Sequence, residues 1–146
     1  DVAPPEHLLQ LFEKRQDRQI CGLELCAIAL ALSTFADFCE GQKIHVWSDN
    51  TGSESSTRRG SARAWDHNRV VHALWVKAAM LKCHMVVDRV PTKDNISDLP
   101  SREEYRLLGL MGTRRLDPVL DEIFWTEKAW NTLQLCNTLR SGRHVA

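Results

Sequence analysis

The sequence predicts an α/β layer fold in which helices pack on a small sheet of parallel strands. Three observations predict it: a long apolar stretch at helical spacing from Ile20, two β-prone runs at 43–49 and 84–90, and a second amphipathic helix between those runs. In a helix, strand, helix, strand order, right-handed crossovers make the two strands parallel neighbours, each covered by a helix. At 146 residues the chain suits one compact domain with a core of its own.

The opening Asp1-Val2-Ala3-Pro4-Pro5 is irregular, because consecutive prolines do not nucleate a helix interior. A short helix is expected over 6–13. From Ile20 the apolar residues recur at Leu23, Ala27, Ile28, Ala31, Phe35 and Phe38, and Gly41 suits a C-terminal cap. That stripe is the expected core face. Residues 43–49 alternate, with Ile44, Val46 and Ser48 on one side, and stop at the polar turn Asp49-Asn50-Thr51-Gly52. The small, polar and basic stretch 52–64 has the composition of a loop or a short weak helix. Asp66 is the expected cap of a helix striped by Val70, Val71, Leu74, Trp75 and Ala78. The run 84–90 ends at Pro91, a turn-rich segment covers 92–100, and a helix is expected after Ser101 to about residue 110. A last amphipathic helix is expected over 124–139, with Trp125, Trp130, Leu133 and Leu135. The expected organisation is an N-terminal extension over 1–19, a core over 20–110 and a C-terminal helical tail over 111–146.

Lys plus Arg and Asp plus Glu number 19 each, so no global positive field draws in a polyanion, and such binding has to come from local patches. Five cysteines (Cys21, Cys26, Cys39, Cys83 and Cys136) form an odd set without a close CxxC pair. That set argues against a disulfide framework and against a zinc ribbon, leaving reduced buried thiols. With no charged-then-apolar leader and no run of about 18 apolar residues, the expectation is an intracellular protein of cytoplasm or nucleus, without a membrane partner.

Three acids carry the functional reading. Glu24 falls inside the apolar stripe of the first long helix. A carboxylate buried there without a partner takes up a proton unless a cation or metal compensates it, and the alternative is a rim position paired with water or an arginine. Asp49 ends a strand, where open α/β sheets place their ligand sites, although Asp-Asn-Thr-Gly is also ordinary turn chemistry. Asp98 precedes a helix, where an acid also serves as a cap. Together they can converge on one sheet edge, and such a cluster suits Mg²⁺, which takes oxygen ligands from carboxylates, waters and phosphates.

The stretch Ile20-Cys21-Gly22-Leu23-Glu24-Leu25-Cys26-Ala27 resembles the glutamate-leucine-x-alanine helix of ribonuclease H domains. Val46-Trp47-Ser48-Asp49-Asn50 resembles their strand ending in a catalytic aspartate. The run Arg89-Val90-Pro91-Thr92-Lys93-Asp94-Asn95-Ile96-Ser97-Asp98-Leu99-Pro100-Ser101-Arg102 is similar to the ending of such domains in retroelement reverse transcriptase polyproteins, those of fungal retrotransposons above all. The resemblance spans residues 16–110. It implies a ribonuclease H-like layer fold and a metal-dependent endonuclease, a hydrolase that cuts the RNA strand of an RNA–DNA hybrid with Mg²⁺ or Mn²⁺. Glu24, Asp49 and Asp98 would be its catalytic residues and metal ligands. The family also carries an aspartate on the first strand of a β-meander ahead of the glutamate helix. Asp1 and Asp17 stand too close to Glu24 to replace it, so the meander is expected to be absent from this chain. The strand at 43–49 then keeps an open edge, to be completed by an upstream polypeptide or a second copy. Weak or no nuclease activity is expected of the chain alone, and the rival expectation is a domesticated, catalytically silent scaffold that binds protein or nucleic acid.

Around the acids, Asn50, Arg58, Arg59, Arg63, Lys93, Ser101 and Arg102 are the candidate nucleic-acid contacts, the basic ones through phosphates. Trp47, Trp65 and Trp75 can stack on bases, but at strand or helical spacing the expectation is packing. His67 is expected to be exposed at a helix start, with a proton-shuttling role as the alternative.

Overall fold

The computed structural model describes residues 20–119 and, ahead of them, Ala3, Pro4, Glu6, Leu9 and Gln10. Of the helix expected over 6–13, Glu6, Leu9 and Gln10 are helical, with Gln10 Nε2 donating to Glu6 Oε1 at 3.1 Å. The helix expected over 124–139, with Trp125 and Trp130, lies outside the described residues, as do Asp1, Asp17 and Cys136.

Leu, Ala, Cys and Ile without an internal proline give helix α1, Ile20–Thr34. It breaks at Phe35 (φ −104°, ψ 25°), and a single further turn, α2, covers Ala36–Cys39. The expected uninterrupted helix to Gly41 is therefore two. Gly41 reverses the chain at φ +68°, and its N–H donates to Leu81 O at 2.9 Å, which brings the chain into strand β1, Lys43–Ser48.

Asn50 and Gly60 turn the weak stretch after β1 into helix α3, Thr51–Arg59. Asn50 Oδ1 accepts from two backbone N–H groups at its start, and Gly60, left-handed at φ +69°, donates to Ser56 O and Thr57 O at its end. Ser53, Ser56 and Thr57 are buried, and such short side chains let α3 lie close to α1 and to strand β2. Helix α4, Trp65–Met80, starts two residues earlier than expected; Ala64 precedes it without a side-chain cap, and Asp66 sits buried in its first turn. Asp66 therefore is not the cap, although an acid in a first turn still favours the helix dipole. Strand β2, His84–Arg89, returns parallel to β1 in the register Lys43↔His84 through Ser48↔Arg89. One turn of 3₁₀ helix at Thr92–Asp94 precedes α5, Asp98–Ser101, and α6, Tyr105–Leu110. The turn-rich segment expected over 92–100 thus ends in a short helix, and the helix expected after Ser101 begins only at Tyr105, beyond Glu103, which takes φ +60°.

The architecture is mixed α/β, with the two strands parallel as predicted. Ile44, Val46 and Ser48 point toward the helices and Lys43, His45 and Trp47 away, as the alternation required. The core joins Leu25, Cys26, Ile28, Ala29 and Leu32 of α1 to the predicted stripe Val70, Val71, Leu74 and Ala78 of α4, with Met85 and Val87 of β2 beneath. The opposite sheet face carries exposed His45, Trp47 and Val86.

One face assignment is corrected. Of the stripe expected to meet the core, Ile28 is buried, whereas Ile20, Ala27, Ala31, Phe35 and Phe38 are exposed, Phe38 by 74%. The apolar residues of α1 encircle the helix, so their spacing alone did not single out the side that meets α4.

Cys21, Cys26, Cys39 and Cys83 are free thiols, and burial pushes that of Cys26 up to about 12. Among the described residues no helix is long and apolar enough to cross a membrane. Leu74→Ala, which empties a fully buried position, is expected to cost about 2–5 kcal/mol in urea unfolding, against less than about 0.5 kcal/mol for Leu110→Ala at a position 78% exposed.

Candidate functional site

The site is built where β1 hands over to α3. Buried Ser48 and Ser53 share a 2.7 Å hydrogen bond between hydroxyls. Asn50 Oδ1 accepts from Gly52 N at 2.9 Å and Ser53 N at 3.0 Å, and Ser53 Oγ donates to Asn50 O at 3.0 Å. These bonds hold the backbone on both sides of Asp49. Gly52 lets α3 approach α1: a Cβ at that position would stand 3.0 Å from Cys21 Sγ and 3.2 Å from Asn50 Oδ1. Glu24 follows Cys21 by three residues, one turn along the same helix side, so this contact brings Asp49 toward Glu24.

Asp98 arrives from the other strand. Val90 N donates to Ser48 O at 3.0 Å, which keeps the two strand ends together up to Pro91. Asn95 then organises the turn: its Oδ1 accepts from Ser97 N at 3.2 Å and Ser97 Oγ at 2.6 Å, and its Nδ2 donates to Asp98 Oδ1 at 3.2 Å. Arg102 Nη2 reaches Asp98 Oδ2 at 3.3 Å.

Glu24 feels the other two acids. The carboxyl of Glu24 is raised above the usual range, first by burial and then by the negative charges of Asp49 and Asp98. Glu24 also lines a groove of about 420 Å³ between α1 and β1, with Ala27, Ile28, Ala31, Ile44 and Trp47. Ser97, next to Asp98, closes one side of it. The donor set is carboxylate oxygen, the chemistry that suits Mg²⁺. Yet among the described residues no three His, Cys, Asp or Glu side chains stand close enough to hold a metal ion. The acids share an electrostatic field without forming a closed coordination shell, and Asp98 divides its oxygens between Asn95 and Arg102.

The candidate contacts separate into two groups. Arg102 lies on the site through Asp98, and Asn50 lies beside Asp49 with its side-chain oxygen committed to capping α3. Arg58 and Arg59 occupy the last turn of α3, roughly 12 Å along the helix from Asp49, and Arg58 is engaged by Glu54 at 2.8 Å. The hydrogen bond and charge of Glu54 raise the Arg58 guanidinium further. Arg59, Arg63 and Lys93 are exposed, and the Ser101 side chain lies outside the described part.

The aromatic expectations also divide. Trp75 packs, its Nε1 donating to Thr57 O at 3.0 Å. Trp47 does not: it is 56% exposed and stacks on His45 with centroids 4.2 Å apart, and His45 Nε2 meets Asp88 Oδ2 at 2.8 Å. Trp65 is exposed beneath the Arg69 guanidinium, 4.9 Å from its ring centroid. His67, expected at the surface, is buried with Asp66 and Arg69 in the first turns of α4, and burial lowers the Arg69 guanidinium. Sequence reasoning missed Gly52 and Asn95. The available signals were a glycine in the first turn of a capped helix and an Asn-x-Ser turn ahead of an acid.

Comparison with family models, with curated proteins and with solved structures returns no match for this chain. The functional reading therefore rests on its own residues.

Glu24 gives the site a pH signature. Its folded pKa lies above the unfolded value, so the native state binds more protons between the two, and stability falls as pH rises through that window. Below the unfolded pKa the penalty is absent, and above the folded pKa it is complete. Glu24→Gln is expected to raise stability above the window and flatten this slope. Asp49→Asn is expected to lower the Glu24 pKa toward its ordinary value, read by side-chain NMR titration; an unmoved Glu24 pKa would show that the two acids do not interact.

Proposed function

We propose that the chain is a ribonuclease H-like domain of retroelement origin, which acts on the RNA strand of RNA–DNA hybrids with Mg²⁺ or Mn²⁺. The observation that carries this reading is the electrostatic coupling of Glu24 to both Asp49 and Asp98, three acids that arrive from a helix, a strand end and the turn after the next strand. The order of elements and the parallel pairing of β1 with β2 fit the same reading.

Asp49 and Glu24 supply carboxylate oxygens at the α1 to α3 contact, and Asp98 supplies them from the opposite side. Glu24, Asp49 and Asp98 would be the groups to hold a divalent cation, and the chemistry it would supply is Lewis acidity toward water and a phosphodiester oxygen. Glu24 would give up its proton to bind a cation, since a cation offsets both the burial and the neighbouring negative charges that raise its pKa. Arg102, released from Asp98, would be placed to meet a phosphate. The resemblance also requires an aspartate on a strand ahead of α1. No described residue supplies it, so the chain tested alone is expected to cleave weakly or not at all.

A second reading, a silent scaffold that binds nucleic acid or protein, is favoured by the Arg102–Asp98 pair, since a cation site answered by an arginine no longer needs a metal. The two readings separate in one experiment. A few mM Mg²⁺ or Mn²⁺ is expected to raise the Tm of the native chain, because binding to the folded form alone stabilises it by mass action. Asp49→Asn and Glu24→Gln are expected to abolish that shift. A native Tm indifferent to both ions would remove the metal-dependent reading and leave the scaffold.

A further inference from the structure

We infer that the groove between α1 and β1 is the docking site of this chain's own segment 120–135, with Ile123, Phe124 and Trp125 seated against Ala27 and Ala31. The inference rests on the shape of α1, the edge of β1 that no described strand covers and the path of the chain.

Helix α1 is apolar on every side, and a helix of that kind is stable only when buried all round. Leu25, Cys26, Ala29 and Leu32 meet that demand against α4. The other side, with Ala27, Ala31 and Phe35, forms one wall of the groove, and Ile44, Val46 and Trp47 form the opposite wall. Among the described residues β1 pairs with β2 alone, so the groove also runs along its second edge. Ala27 and Ala31, one turn apart, leave a shallow trough deep enough for large side chains from elsewhere.

The chain itself leads there. After α6 it travels back across the domain, and Val119 N donates to Thr34 Oγ1 at 3.1 Å. Thr34 lies three residues beyond Ala31 and seven beyond Ala27, on the same stripe of α1, so Val119 stands at the rim of the groove. From Thr34 to Ala27 is about 10 Å along the helix axis. About three residues cover that distance if extended and about seven if helical, which brings residues 122–126 level with Ala27 in either case. Those positions contain Ile123-Phe124-Trp125, the bulkiest apolar run that follows Val119.

Photo-crosslinking of the full chain tests this. With p-benzoylphenylalanine in place of Trp125, irradiation at low protein concentration followed by peptide mass spectrometry is expected to join that position, within one chain, to α1 between 24 and 35 or to 44–47 of β1. Ala31→Arg fills the trough at an exposed position and is expected to abolish the crosslink while the circular dichroism stays unchanged. Crosslinks solely between chains would show a second copy in the groove and overturn the proposal, as would intrachain crosslinks to the exposed sheet face at Val86 without any to α1 or to 44–47 of β1. Should the probe prevent folding, hydrogen exchange on the native chain and on Ala31→Arg decides. Residues 120–135 are expected to exchange about tenfold faster or more in the variant, and equal rates would overturn the proposal.

Discussion

A helix apolar around its whole circumference cannot be satisfied by one neighbour, and α1 imposes that condition on the whole molecule. Its contact with α4 fixes the core and the height at which β2 lies beneath it. Its contact with α3, through Cys21 and Gly52, fixes where β1 ends relative to Glu24. Its remaining side forms the wall of the groove. Packing, site and open surface are three consequences of one stretch, Ile20–Thr34, whose residues offer no polar face to water. Even Glu24 obeys this condition, since its carboxylate is half-buried and loses hydration to the same apolar surroundings.

The site then reflects a competition between like charges and the bonds that hold them. Asp49 stands between a serine pair and an asparagine cap, so its backbone has little freedom to relax away from Glu24. Asp98 is held by Asn95 and Arg102, which donate to its two oxygens. With both aspartates anchored, Glu24 holds its proton more tightly, first because burial strips its carboxylate of water and then because of the two negative charges. The same balance explains why proximity does not by itself make a metal shell. Ligation asks for oxygens that converge on a point, whereas here the Asp98 carboxylate is aimed by Asn95 and Arg102.

What the sequence disclosed follows from where periodicity is unambiguous. Val70, Val71, Leu74 and Ala78 alternate with Asn68, His72 and Lys77, and that contrast marks the buried side of α4 correctly. Likewise β1 announces its inward side through Ile44, Val46 and Ser48. On α1 there is no such contrast, and Ala27, Ala31 and Phe35 of the expected stripe face the groove. Helix α3 was nearly invisible because Thr, Ser and Gly have weak helical preference; its existence depends on Asn50 and Gly60 at its ends and on tertiary contact along its length. Glu24, Asp49 and Asp98 were legible as a set because acids at a helix, a strand end and a turn are unusual together. Gly52 was not, because its reason for being glycine is a sulfur atom thirty-one positions away in the chain.

Glu24 belongs at once to the acid cluster and to the groove, and this makes the two features interdependent. Whatever fills the groove displaces water from the side of Glu24 that still reaches it. Desolvation already dominates the upward shift of that carboxyl, so further burial drives it toward the neutral form. A neutral Glu24 relieves the repulsion from Asp49 and Asp98 but is a poorer ligand for a cation. A cation arriving in the cluster acts in the opposite sense, because it stabilises the ionised carboxylate and repays its desolvation. Groove occupancy and cation binding therefore compete when Glu24 is the only group that responds. They cooperate when the occupant brings a hydrogen-bond donor to the carboxylate or excludes water from a cluster whose charge a cation has already neutralised. The sign of that coupling is set by the chemistry at the Glu24 end of the groove rather than by the apolar contacts along Ala27 and Ala31.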